Sequence, residues 1–286
     1  MLDKPAGLTS HGCVSLVRRA YSLKRVGHGG TLDPAVTGVL PIALGQATRF
    51  LPYLPGDKSY RATVQLGVRT TTDDLEGTVL EQLPVPGCLG RAELEAALGA
   101  FRGPIAQRPP SFSAVHVKGQ RAYALARAGQ LVDLPPRPVT LHRLDLLAWD
   151  PELGSLELEI HCSAGTYIRS LARDLGAALG CGGALASLRR TAALGFGLAQ
   201  SVPVASLVEP LPPLMDPLMA LPHWPRHQLA SADLARWRCG QPQSPQQPYP
   251  TGSAVLVVAP NGKLAGLATV QATGVLQPRV VVDATG

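Results

Sequence analysis

No apolar run in the 286-residue chain approaches the ~20 residues that a membrane-spanning helix needs. The opening, MLDKPAGLTS, lacks the basic start and apolar centre of a secretory signal, so a cytoplasmic protein with no membrane partner is expected. Cysteine is sparse: Cys13, Cys88, Cys162, Cys181 and Cys239 are scattered, odd in number and never spaced as Cys-x-x-Cys. Neither a disulfide framework nor a cysteine zinc site is indicated, and reduced thiols are expected. Also missing are the Walker glycine-lysine loop, a strand-to-helix G-x-G-x-x-G, and the H-x-E with P-C-x-x-C of zinc deaminases. The chain offers no signature for a nucleotide, a redox carrier or a metal, and none is expected.

Lysine is scarce too. Only Lys4, Lys24, Lys58, Lys118 and Lys263 stand among 26 basic residues, which leaves 21 arginines against 20 acids, a net charge of +6 and a pI near 9.3. Arginine forks phosphate oxygens and stacks on bases, as an RNA surface requires; a GC-biased genome produces the same enrichment. With 45% hydrophobic residues, there is core material for one large domain and a small one.

What is present centres on Arg25 to Pro41, RVGHGGTLDPAVTGVLP. Gly27, Gly29 and Gly30 let the backbone turn sharply and approach a ligand closely. Pro34 biases Asp33 towards an extended backbone, holding its carboxylate at a loop edge. Before it, Leu2 to Pro5 reads as a short strand and Thr9 or Ser10 as the N-cap of a helix bearing Val14, Val17 and Tyr21. After it, Gly45 to Leu54 reads as a short helix. Lys58 to Leu66 (KSYRATVQL) reads as a strand with Tyr60, Ala62, Val64 and Leu66 on one buried face. The stretch 70–77 (TTTDDLEG) lacks the alternating oxygen ligands of a calcium loop and reads as a hairpin end. Arg91 to Phe101 is an amphipathic helix; Pro104, Pro109 and Pro110 predict an irregular crossing before Val115 to Val117 and a helix at Ala122 to Ala128. Val139 to Trp149 and Ser155 to Cys162 pair as strands, and Ile168, Leu171, Leu175 and Leu179 mark a helix face. A proline- and leucine-rich stretch, 201–222, reads as a packed linker. Then come a helix at Ser231 to Arg238 and strands around the Asn261-Gly262 turn.

GHGGTLDPAVTGVLP closely resembles the aspartate motif of the tRNA pseudouridine synthase B (TruB) family, approximately G-H-x-G-T-L-D-P-x-A-T-G-x-L-P. Ala35-Val36 departs mildly from it. DKPAGLTS, the K-x-Y string at Lys58, CSAGTYIR and LASLRRT resemble further family motifs, and 104–135 resembles the family's thumb-like insertion. Its Arg102, Arg108, Lys118, Arg121 and Arg127 interleave with Phe112, His116 and Tyr123. In the family additional residues usually precede DKPAGLTS, so either the first strand is short or the true start lies upstream. The resemblance implies an α+β pseudouridine synthase fold with a central, mainly antiparallel sheet. A catalytic domain over 1–200 and a PUA-like RNA-binding domain over 223–286 are expected.

The implied reaction isomerises one uridine of the tRNA T loop (tRNA position 55) to pseudouridine without cofactor or metal. Asp33 is the implied catalyst, as nucleophile at C1′ or base at C2′. Tyr60 stacks on the flipped base and takes part in proton transfer, and Arg169 pairs with Asp33, stabilising its charge and aiming it. His28 fills the vacated stack, Tyr167 lines the uracil pocket, Leu188 packs on the base, Lys4 builds the site floor and Asp73 contacts a base or sugar. The partner is tRNA, bound by a monomer. Two rivals stand beside this reading. An aspartate-dependent nucleoside glycosidase generally needs a second carboxylate, and the three strong motifs hold none. A tRNA-folding chaperone without chemistry has no use for Asp33, Tyr60 and Arg169 together.

Overall fold

In the computed structural model, placement is described for residues 1–282 except 114, 118, 131–133 and 223, and for 117, 121 and 127 without side chains. Lys118 of the expected thumb therefore lies outside the described residues. The chain opens with β1 (Leu2–Lys4) and α1 (Ser10–Ala20). Thr9 caps that helix, its Oγ1 accepting from the Gly12 N–H at 2.9 Å. Strands β2 (Val26–His28), β3 (Thr37–Leu40) and β4 (Ile42–Leu44) precede a 3-10 helix over Gly45–Tyr53. β5 (Lys58–Leu66) buries the four alternate residues its pattern predicts. The acidic turn closes a hairpin between β6 (Val68–Thr70) and β7 (Val79–Gln82).

Next come α2 (Arg91–Gly99) and β8 (Gly103–Gln107). Here the structure departs from the irregular crossing predicted at Pro104. β8 is the end strand of its sheet, and a proline's missing N–H is tolerated at an edge. β9 (His116–Val117), β10 (Gln120–Arg121) and α3 (Ala122–Arg127) follow. The long hairpin β11 (Arg137–Asp150) and β12 (Ser155–Cys162) leads into α4 (Ile168–Ala178). Then come β13 (Gly183–Ala193), β14 (Phe196–Gly197) and β15 (Val202–Pro203). The C-terminal elements are β16 (Arg226–Gln228), α5 (Ser231–Arg238), β17 (Ala254–Val258), β18 (Leu264–Val270) and β19 (Leu276–Val281).

Two compact units result. The larger comprises Met1–Cys13, Gly30–Pro41 and Pro55–Val204. Its sheet runs β15-β1-β3-β13-β5-β12-β11-β8, with β14 attached to β13. All pairings are antiparallel except β1 with β15 and β13 with β3. This is the α+β, mainly antiparallel arrangement expected from the sequence. One core holds Ala62 and Val64 of β5, Leu156, Leu158 and Ile160 of β12, Leu94 and Leu98 of α2, and Leu171 and Leu175 of α4. Each such fully buried Val, Leu or Ile side chain contributes about 1.5–3 kcal/mol relative to exposure. β5 lies between β13 and β12, so both flanking ladders fix the position of Tyr60. Between β11 and β12 the register shifts at Leu141/Arg143, a bulge that inserts His142.

The smaller unit comprises Val14–Gly29, Ile42–Leu54 and Ala205–Gly286. Its four-stranded sheet, β16-β17-β18-β19, is apolar on both faces. Val255 and Val257 pack with Trp237, whereas Leu256 and Val258 pack with Phe50, Leu218 and Leu221. The buried Trp237 indole donates to the Ala265 carbonyl at 2.8 Å. Among the described residues no helix is long and apolar enough to cross a membrane.

Candidate active site

The Asp33-Pro34 turn is held by its backbone, leaving the carboxylate for a side-chain partner. The Val36 N–H donates to the Asp33 carbonyl at 3.1 Å, and the Gly7 N–H to the Pro34 carbonyl at 2.9 Å. The Ser10 hydroxyl, buried at the start of α1, donates to the Leu32 carbonyl and accepts from the Leu32 N–H. Lys4, fully buried, spends its three ammonium hydrogens on the carbonyls of Pro5, Leu8 and Pro34 at 2.7–2.8 Å. Burial lowers its pKa, which Cys13 and Asp33 oppose. Lys4 thus ties the opening strand to the aspartate turn through the backbone. The Asp33 side chain remains 48% exposed.

Arg169 approaches from the first turn of α4. Its Nη2 lies 3.0 Å from Asp33 Oδ2, and the guanidinium is only 11% exposed. It also donates to the Thr72 and Phe112 carbonyls, at 3.1 and 2.9 Å. Four anchor points leave the fork one orientation. The fourth is Asp74, whose Oδ2 stands 3.6 Å from Arg169 Nη1. Asp74 is itself set by the Thr72 hydroxyl and the Glu76 N–H, both donating to its Oδ1. A buried cation shared between a fixed carboxylate and a half-exposed one orients the latter, because charge-assisted bonds are short and directional.

Tyr60 sits beneath this turn in β5, 6% exposed. Burial pushes its hydroxyl pKa up to about 12, with Arg190 as the main opposing influence and Asp33 adding to the rise. Arg190 of β13 is fully buried; its Nε donates to the Val39 carbonyl at 2.7 Å and its Nη2 to that of Gly30 at 3.1 Å. Burial works against the Arg190 charge, and the neighbouring Tyr60 hydroxyl supports it. Its Nη1 meets no hydrogen-bond partner among the described residues. Lys58, on the same strand as Tyr60, has its pKa lowered by burial and by Arg190. Glycine is obligatory where β3 passes Arg190. Gly38 has φ +103°, and a Cβ there would stand 2.1 Å from the Arg190 carbonyl oxygen.

The other sequence-predicted residues fall into place unequally. Half-buried Tyr167 precedes α4; the buried Gln107 amide brackets its backbone, accepting from its N–H at 2.8 Å and donating to its carbonyl at 3.0 Å. Its side chain packs with Val115, Ala122 and Leu134. Leu188 lies on β13 opposite Ala62 and packs on the main core. Asp73, at φ +61°, is held by Arg173 at 2.9 Å. Burial raises its pKa and Arg173 opposes the rise. His28 lies on β2, paired with Ile42 of β4 in the smaller unit. Of the thumb's basic residues, Arg102 is engaged by the Leu144 carbonyl and Glu95. The structure therefore brings Asp33, Arg169, Tyr60 and Lys4 to one turn, with Asp73 bound elsewhere.

Three residues of this site escaped the sequence reading: Asp74, Arg190 and Gln107. The doubled Arg189-Arg190 was a visible signal, since in an extended strand successive side chains face opposite ways; the turn at Asp73 is not extended. Arg189 goes to Asp3 at 2.7 Å while Arg190 goes inward.

Residues 18–168 match the family model described as TruB family pseudouridylate synthase, N-terminal domain. Residues 169–211 match tRNA pseudouridylate synthase B C-terminal domain, and 225–282 match Pseudouridine synthase II TruB, C-terminal. The curated tRNA pseudouridine synthase B of Parasynechococcus marenigrum (strain WH8102) is 63% identical, covering 100% of this chain and 97% of its own length. That of Synechococcus sp. (strain WH7803) is 56% identical with the same coverage. Among solved structures, an H/ACA RNP bound to a substrate RNA containing 2′-deoxyuridine superposes with a TM-score of 0.70 at 23% identity. It covers 98% of this chain and 83% of its own, a likeness of fold. Matched by these models over most of its length, the chain belongs to the TruB family of pseudouridylate synthases.

Proposed function

We propose that this protein isomerises the T-loop uridine of tRNA to pseudouridine, with Asp33 as the catalytic carboxylate. The observation that carries the reading is the Asp33–Arg169 pair: a half-exposed carboxylate held at 3.0 Å by a nearly buried guanidinium. Substrate can reach this carboxylate, and Arg169 has no freedom to leave it. The reaction breaks the C1′–N1 bond, turns the detached uracil and rejoins it through C5. Asp33 starts it as nucleophile at C1′ or base at C2′, and deuterium at C2′ separates the two by a primary isotope effect in the second case only.

The target base lies in a folded loop and must be extruded, its lost stacking replaced by protein. Tyr60 offers the ring face. With a pKa near 12 it is a neutral phenol at working pH, which suits stacking better than the role of resting base. Tyr167 walls the pocket, Leu188 packs on the uracil and His28 fills the vacated stack. Residues 1–200 form the catalytic domain, the insertion at 104–135 closes on RNA, 201–222 link, and 223–286 form a PUA-like RNA-binding domain. The protein acts on tRNA as a monomer in the cytoplasm.

The test incubates the purified chain with unmodified tRNA transcript and maps pseudouridine by carbodiimide-dependent stops. A single stop at the T-loop uridine, absent with Asp33→Asn while RNA binding persists, is the expected result. Asp33→Asn turnover near that of the parent removes Asp33 from the mechanism.

A further inference from the structure

Outside the aspartate site, three metal-ligating side chains converge at the start of β5. Asp57 immediately precedes that strand, His142 is the residue inserted at the bulge of β11, and His161 lies on β12. Asp57 Oδ2 stands 3.4 Å from His142 Nε2 and 3.9 Å from His161 Nε2, and all three donor atoms lie within 4.8 Å of one another. Zinc–ligand bonds of about 2.0–2.2 Å place the ligands of a tetrahedral ion about 3.3–3.6 Å apart. The triad needs only a fraction of an ångström to a little over one of closure. From these contacts we infer that Asp57, His142 and His161 form a site for a divalent transition-metal ion of the zinc class, with the fourth position open to water.

Three further observations point the same way. The Ser59 hydroxyl lies 3.0 Å from His161 Nδ1, the outer-shell bond that fixes a ligating imidazole's tautomer and turns its Nε2 to the metal. The bulge at Leu141/Arg143 puts both His142 and Arg143 on the exposed side, between buried Leu141 and Leu144. Regular alternation would give one of them to the core; bulges re-aim side chains in this way. The imidazole rings are 5.1 Å apart. Both present Nε2 to the same Asp57 oxygen, Oδ2, so one dication between them engages all three side chains. The nearest arginine across the ladder, Arg143 opposite His161, is engaged by Asp145 and Glu159. The ion clasps the residue entering β5, three positions before Tyr60, to the β11–β12 hairpin.

The test uses the full chain with the exposed thiols replaced (Cys88→Ser, Cys239→Ser), stripped by chelator and titrated with Zn²⁺ against a chromogenic competitor. Co²⁺ is titrated in parallel for its visible bands. One equivalent is expected to bind, with affinity falling at least about tenfold in His142→Ala and in Asp57→Asn. His11→Ala, an exposed histidine elsewhere, should leave it unchanged. Ser59→Ala, which retains all three ligands, should weaken binding less. Each variant is checked for an unaltered far-ultraviolet spectrum and melting temperature in the metal-free state. No binding up to about 0.1 mM, or stoichiometric binding that the His142 and Asp57 variants leave intact, overturns the assignment.

Discussion

Adding one methyl group at Gly38 tests how the aspartate loop is joined to the sheet. A Cβ at this position stands 2.1 Å from the Arg190 oxygen and 2.8 Å from its nitrogen, both backbone atoms with no rotamer to escape into. Reaching ordinary van der Waals contact requires β3 and β13 to part by more than an ångström. That loosens a two-residue parallel ladder, whose bonds contribute about 1 kcal/mol each. The φ of +103° adds about 1–2 kcal/mol for any L side chain. Gly38→Ala is therefore expected to cost about 4 kcal/mol, which for a unit of this size lowers the melting temperature by roughly 8–16 °C. Gly103→Ala is the control: φ is +83° and nothing lies within 4 Å of the added carbon. It pays only the backbone term, about 1–2 kcal/mol. Differential scanning calorimetry reads both. Because Arg190 moves with its strand, kcat should also fall about 10²-fold in Gly38→Ala. Melting temperatures within about 2 °C of each other, or full turnover by Gly38→Ala, refute the reasoning.

Two further outcomes are expected. In Asp74→Asn the retained Oδ1 still accepts from Thr72 and Glu76, while the new amide turns a donor towards Arg169. Steady-state kinetics should show kcat lowered about tenfold or more with tRNA affinity unchanged, and an unchanged kcat disposes of Asp74 as a positioning residue. Tyr60 gives a pH dependence. Above the ordinary phenol pKa of 10 the unfolded chain releases this proton, whereas the folded chain holds it until about pH 12. The associated stability is whole below pH 10 and is lost as pH rises to 12, about 3 kcal/mol in all. Tyr60→Phe should lose correspondingly less stability across that window in urea unfolding; an identical alkaline slope contradicts the burial.

Where information is local in the chain, the sequence reading is good. The glycines, Asp33 and Pro34 stand together, so the loop and its exposed carboxylate could be read directly, and period-2 burial in KSYRATVQL located Tyr60. Arg169 was reached through resemblance, since a lone arginine at a helix start says nothing of a partner some 130 residues earlier. What failed was orientation within pairs of like residues. The positive φ at Asp73 turns one carboxylate to Arg173 and leaves Asp74 for Arg169, a choice made by the backbone and absent from the letters DD. The letters RR likewise do not say which arginine turns inward, because the central position of β13 follows from tertiary pairing. The Asp57, His142 and His161 cluster comes from three separate stretches and has no spacing to recognise.

The end strands of the large sheet carry a consequence for how the protein behaves in a crowded solution. β8 contains Pro104 and β15 contains Pro203, so a foreign strand arriving at either end meets a residue with no N–H to offer. Eight strands side by side otherwise make a ready template for intermolecular growth. Proline at each terminus of the array caps it, in the way a chain-terminating monomer stops a polymer.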